Sequence, residues 1–142
     1  MRWLVLDVEN TITVRDNKKH LDPFEKDNQL VMVGCLKQVD DDYDEFIIMS
    51  FDHSEGSSGT ELLQPLLDET DLLIMHNATH DLMWLREGGF KYDGKIYDTM
   101  LVEYVLQKGN KLPLGLGLVA ERHNLRVKKQ DTMKNYLKQG VA

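Results

Sequence analysis

Apolar positions along this chain follow two spacings, one of two residues and one of three to four, and the switches between them mark strands and helices. Trp3-Leu4-Val5-Leu6 runs into Asp7-Val8-Glu9 and reads as a buried strand that turns acidic at its end. Asn17 to Asp27 is polar and contains Pro23, so a loop or long turn is expected there. Leu30 to Leu36 and Glu45 to Phe51 are two more strand candidates. The acidic turn Asp40 to Asp44 between them suggests a hairpin. Ser54 to Gly59 is a Ser/Gly loop, and Ser58 with Glu61 has capping-box spacing for a following helix. That helix carries Leu62, Leu63, Leu66 and Leu67 on one side, with Pro65 weakening its first turns.

The second half alternates. Asp71 to His76 is a fourth strand, after which Thr79 has the character of an N-cap for a helix from His80 to Glu87, ended by Gly88-Gly89. Ile96-Tyr97 forms a short strand before Asp98, and Thr99 to Gln107 is an amphipathic helix closed by Gly109. Further helices are expected from about Leu116 to His123 and over Asp131 to Gln139, where Met133, Tyr136 and Leu137 share helical spacing. Three strands followed by helix, strand, helix, strand, helix predict an α/β fold with a mixed sheet.

Composition narrows the class without choosing a function. A length of 142 residues suits one domain, read here as 1–142, and is enough to bury a hydrophobic core. No apolar run approaches the ~20 residues of a membrane span. The amino terminus turns acidic too early for a secretory signal. With a single cysteine, Cys35, in an apolar run, a disulfide within the chain is excluded, and a buried thiol in a reducing cytoplasm is expected. The net charge of −7 argues against simple phosphate binding by a basic face. It leaves open carboxylates that hold divalent cations, whose positive charge then faces the phosphate.

Three carboxylates are placed for such a role. Asp7 and Glu9 stand two apart on the first strand, so their side chains leave one face. On an otherwise apolar strand such a pair is costly without a partner, and paired hard oxygens suit a divalent ion. Asp81 lies in the first turn of the helix after the fourth strand, held close by the short His76-Asn77-Ala78-Thr79 link. Adjacency of the first and fourth strands would bring the two acidic clusters to one sheet edge. Each feature alone also fits a bland reading, a solvated strand end or a carboxylate answering a helix dipole.

Their order adds specificity. Leu6-Asp7-Val8-Glu9-Asn10-Thr11 resembles the first motif of DnaQ-like 3′–5′ exonucleases, a strand ending in D-x-E with a Thr soon after. His76-Asn77-Ala78-Thr79-His80-Asp81 is similar to the second, N-x-x-x-D opening a helix. Tyr97-Asp98-Thr99 resembles the "DT" step of polymerase exonuclease domains, and Leu114 to Glu121 the helix that follows it. The resemblance covers the whole chain and is to the proofreading domain of phage or bacterial family A DNA polymerases. It implies a ribonuclease-H-like mixed five-stranded sheet flanked by helices, lacking the last helix. It also implies two divalent metal ions, Mg²⁺ or Mn²⁺, and hydrolysis of a single-stranded or frayed DNA 3′ end. In that pattern Asp7 bridges both ions, Glu9 serves the ion that activates water, and Asp81 helps hold the second. Thr11 and Asn77 sit beside the terminal nucleotide, and Asp98 is a helix N-cap or supporting group rather than a ligand. The implied setting is a cytoplasm, that of a bacterial host for a phage protein, with a polymerase domain after the exonuclease.

One departure stands out. The family's third motif, Y-x-x-x-D or H-x-x-x-D, has no counterpart after Thr99, which predicts a chain truncated before the fourth carboxylate and impaired in turnover. A non-catalytic structural or binding fragment, or an RNA-trimming enzyme of the same fold, are the competing readings. Other motifs carry less. Gly115-Leu116-Gly117-Leu118-Val119-Ala120 fits a dinucleotide fingerprint but follows no strand. His76 and His80 straddle a strand-to-helix junction and lack the Glu of a zinc protease. Lys18-Lys19 and Lys128-Lys129 read as solvated turns, and Trp84 and Phe90 as packing residues. Tyr43 and Tyr92, near loops, could pack or stack.

Overall fold

The structure is a computed structural model, described here for residues 1–51 and 59–126. Ser58, Lys128-Lys129 and the helix expected over Asp131 to Gln139 lie outside the described residues. The chain divides into two compact units, residues 1–101 and 102–142.

The first unit holds seven strands: β1 (Trp3–Asn10), β2 (Thr13–Arg15), β3 (Lys18–His20), β4 (Leu30–Asp40), β5 (Tyr43–Ser50), β6 (Leu72–Met75) and β7 (Lys95–Asp98). It also holds α1 (Gly59–Asp68), α2 (Ala78–Glu87) and the start of α3 (Thr99–Leu106). Five strands form one sheet in the order β5-β4-β1-β6-β7. β4 pairs antiparallel with β1 and with β5, whereas β6 lies parallel to β1 and to β7. The sheet is therefore mixed, as expected, and the first and fourth expected strands are neighbours through Trp3↔Leu72, Leu4↔Leu73 and Val5↔Ile74.

Alternation along β1 sorts its residues to two faces. Leu4, Leu6 and Val8 point with Val33, Cys35, Met49, Leu73 and Met75 into the buried core. Leu63 and Leu67 of α1 and Trp84 and Leu85 of α2 close that core. Burying each such side chain is worth ~1.5–3 kcal/mol. Trp84 and Phe90 thus pack the core as read from the sequence, and Phe90 meets Phe51 edge-to-face at 5.8 Å between ring centroids. Leu62 points out to solvent, and exposed Pro65 sits inside α1 without ending it, with Leu63 before it and Leu67 after it anchored in the core.

The segment expected to be a loop after β1 contains a small hairpin instead. Asp16 and Asn17 both adopt positive φ, 51° and 62°, which is the backbone of a two-residue turn whose twist matches a hairpin. Thr13, Val14 and Arg15 then pair with His20, Lys19 and Lys18.

In the second unit, α4 (Leu116–Arg122) is preceded by irregular chain, so the Gly-x-Gly pattern is no dinucleotide turn. Glu103 is buried and accepts from Arg122 Nη2 at 3.1 Å, and its other oxygen lies 2.8 Å from His123 Nε2. Gln107 holds the backbone of Leu112 through both ends of its amide, at 2.8 and 3.0 Å. No helix among the described residues is long and apolar enough to cross a membrane.

Candidate active site

The site lies where β1, β6 and β7 end. β6 pairs with β1 only over Trp3 to Val5, so Asp7, Val8 and Glu9 extend past the end of their neighbour. Asp7 and Glu9 leave the face opposite the core and are exposed. The burial cost expected for this pair is therefore absent, because water reaches both carboxylates directly.

The cost falls on Asp81 instead. Its side chain is 3% exposed, and its Oδ2 is a buried oxygen with no hydrogen-bond partner. An orphaned buried carboxylate oxygen is unfavourable and rare in folded proteins. Burial, followed by the charges of Asp7, Glu9 and Asp98, pushes its pKa up to about 8, against the opposing pull of the Val8 backbone N–H. Asp81 thus feels both β1 carboxylates, so residues separated by more than seventy positions in sequence share one electrostatic site.

Asp98 also stands at a strand-to-helix junction, as the last residue of β7 and just before α3, but in a different environment. Its Oδ1 accepts from Asn77 N at 3.0 Å and Met100 N at 2.9 Å, and its Oδ2 from Ala78 N at 3.0 Å. Burial alone would raise its pKa, yet these amides together with Leu101 N hold it below the usual carboxylate range. One side chain therefore caps α3 and, from across the sheet, α2. The N-cap expected at Thr79 is displaced to Asn77, whose φ of 65° starts α2 two residues early and which makes no side-chain cap of its own. A tertiary carboxylate does the work that local spacing assigned to a hydroxyl. The signal that could have located it was the "DT" step itself, read as a cap for two helices.

The other residues expected at the site lie on segments adjoining β1 and α2. Asn77 is exposed at the start of α2. The Thr11 hydroxyl accepts from Gln29 N at 2.7 Å and so ties the chain after β1 to the entry of β4. His76 Nδ1 lies 2.8 Å from the Thr99 hydroxyl, and His80 Nε2 lies 3.1 Å from Asn10 Oδ1. The two histidines serve different partners and do not form a zinc pair.

Asp7, Glu9 and Asp81 are hard oxygen donors, and the unpartnered Asp81 Oδ2 is the group a cation would satisfy. Among the described residues, no three His, Cys, Asp or Glu side chains stand close enough together to grip one ion as they are. The fit thus rests on donor chemistry and on the orphaned oxygen, with the cage open towards Asp7 and Glu9.

No curated protein matches this chain. A family profile described as 3′–5′ exonuclease matches residues 24–140, a span that includes α2 with Asp81 and β7 with Asp98, and that begins after β1.

Proposed function

This chain belongs to the 3′–5′ exonuclease domain family of the family A DNA polymerases, with the α/β, ribonuclease-H-like sheet described above, and we propose that its carboxylate site hydrolyses the terminal phosphodiester of a DNA 3′ end. The observation that carries this reading is Asp81, a buried carboxylate with an orphaned oxygen, whose pKa is raised by burial and by the charges of Asp7 and Glu9. A carboxylate in that state has little structural use, whereas its neighbour Asp98 fills every structural demand of the same sheet end.

Asp7, Glu9 and Asp81 would hold two divalent cations, Mg²⁺ or Mn²⁺, which supply Lewis acidity to water and to the scissile phosphate. The protein's own contribution is placement. β1 presents Asp7 and Glu9 on one exposed face, and the end of β6 lets α2 bring Asp81 alongside. Asp98 fixes the Asn77-Ala78 backbone, so the start of α2 holds Asp81 in register with β1. Exposed Asn77 and the Thr11 segment flank the place where a terminal nucleotide would lie. The proposed setting is proofreading beside a polymerase domain, in a cytoplasm. The buried Cys35, whose pKa burial pushes up to about 12, suits a reducing compartment.

Tyr- or His-x-x-x-Asp does not occur between Thr99 and Ala142, so the proposed site rests on three carboxylates, Asp7, Glu9 and Asp81, among the described residues. That same feature favours a second reading, a non-catalytic module that keeps the fold. A 3′-labelled single strand incubated with Mg²⁺ or Mn²⁺ separates the two. Stepwise release of nucleoside 5′-monophosphates, abolished by chelator and by Asp7→Ala, supports the nuclease. An intact strand after long incubation supports the non-catalytic module.

A further inference from the structure

We propose that His80 and Asn10 form a latch that sets the gap between Glu9 and Asp81. The inference rests on the nuclease reading of that site and makes the two residues positioning groups for its cations. Each is the sequence neighbour of one carboxylate, Asn10 following Glu9 and His80 preceding Asp81. Their side chains meet across the gap, with His80 Nε2 3.1 Å from Asn10 Oδ1.

The hydrogen-bond inventory decides where the protons lie. Asn10 Nδ2 donates to Thr11 O at 2.8 Å and to Leu21 O at 3.2 Å, and a carbonyl can only accept. Both amide hydrogens are used, which turns Oδ1 towards His80 and fixes it as an acceptor. The hydrogen between the two residues therefore sits on His80 Nε2. A neutral ring protonated at Nδ1 could not close this contact, whereas the Nε2–H tautomer and the charged ring both can.

The latch works against a repulsion. The charges of Asp7 and Glu9 oppose the ionised form of Asp81, which is the form that binds a cation. The tip of β1 and the start of α2 must therefore be held together by other groups. Successive residues of α2 do this. Asp81 accepts the N–H of Val8 and His80 holds Asn10, so the residues on both sides of Glu9 are tied to one helix turn. One turn further along the same helix face, Trp84 Nε1 donates to Leu21 O at 3.1 Å, the carbonyl that Asn10 Nδ2 also reaches. The bonds thus close a ring from α2 through Asn10 and Leu21 back to α2. That ring uses no carboxylate oxygen, so it orders the site without competing for its ligands, and groups that orient metal ligands in this way govern metal affinity.

The test is Mn²⁺ binding by the whole chain without nucleic acid, read from the electron paramagnetic resonance signal of the free ion. His80→Ala is expected to weaken Mn²⁺ binding about tenfold, the lower end of what loss of a ligand-orienting group does. His80→Gln, whose amide N–H reaches the place of Nε2, is expected to restore most of that affinity. His80→Asn, whose amide stops at the place of Nδ1, is not. Adding Asn10→Ala to His80→Ala is expected to weaken binding little further, because both remove one contact. Gln64→Ala is the control for general loss of stability. It removes a comparable pair of bonds, to Lys91 N and Lys91 O at 2.9 Å each, ahead of β7 and so at the other end of the parallel strands. It is expected to lower thermal stability and keep Mn²⁺ affinity. Wild-type affinity in His80→Ala, no advantage of glutamine over asparagine, or an equal loss in Gln64→Ala would overturn the latch. So would ¹⁵N spectra of the metal-free chain that place the hydrogen of neutral His80 on Nδ1. Wild type that binds no more Mn²⁺ than Asp7→Asn would instead sink the carboxylate reading itself, while the ¹⁵N spectra still judge the latch.

Discussion

The ends of β6 and β7 are built alike and finish differently. Each parallel strand runs into a helix, and each helix start carries an aspartate, Asp81 in α2 and Asp98 before α3. Asp98 is surrounded by backbone N–H groups and its pKa is held low. Asp81 is surrounded by like charge, with an oxygen that nothing satisfies, and its pKa is driven up. The difference teaches how to tell a carboxylate that builds the fold from one kept for chemistry, since the first lowers the energy of the folded chain and the second raises it.

Substitution separates the two most sharply. Asp81→Asn is expected to cut nucleotide release more than about 100-fold, because even groups that only support a metal ligand carry 10- to 100-fold effects. The same variant is expected to be more stable than wild type in chelator at neutral pH by more than about 1 kcal/mol, because folding no longer has to suppress the ionisation of a buried carboxyl beside Asp7 and Glu9. A denaturant titration checks it, and a loss of stability would place Asp81 with Asp98 instead. Asp98→Ala is expected to do the reverse, destabilising by about 2–3 kcal/mol because two helix starts lose their caps together. A destabilisation under ~0.5 kcal/mol would break the contrast.

The pH dependence of stability, measured without metal, has opposite sign at the two sites. Asp81 has a folded pKa of about 8 against an ordinary 3.8, so the unfolded chain releases its proton first. Its contribution is fully present below pH 4 and is lost progressively as pH rises towards 8. Asp98, held below 3.8, contributes stability above that value and loses it as pH falls further. Asp81→Asn should flatten the first slope and leave the second. An unchanged slope between pH 4 and 8 in that variant would show that the charge repulsion lies elsewhere.

Much of this was legible in the sequence, for reasons that can be traced. The β1 tip and the start of α2 were found because a carboxylate after an apolar strand is costly enough to need a reason, and the D-x-E and N-x-x-x-D spacings supplied one. The adjacency of β1 and β6 was needed to join them, and Trp3↔Leu72 through Val5↔Ile74 provides it. Exposure was misjudged at Asp7 and Glu9, because a strand pattern does not say where the neighbouring strand stops. The cap was misplaced to Thr79 because the group that caps α2, Asp98, comes from another strand. The β2–β3 hairpin was missed because Lys18-Lys19-His20 has no apolar alternation. Its trace was the Asp16-Asn17 pair after Thr13-Val14, a two-residue turn signal beside β-forming residues.

The central claim, that Asp7, Glu9 and Asp81 form one cation site, is tested most directly by thermal unfolding with and without Mn²⁺. Ions that bind the folded chain only must raise its unfolding temperature. The account predicts a rise for wild type and none for Asp7→Asn or Asp81→Asn, with Asp98→Asn still responding. Equal shifts in all four proteins would mean that the metal binds elsewhere and that these carboxylates do not act together.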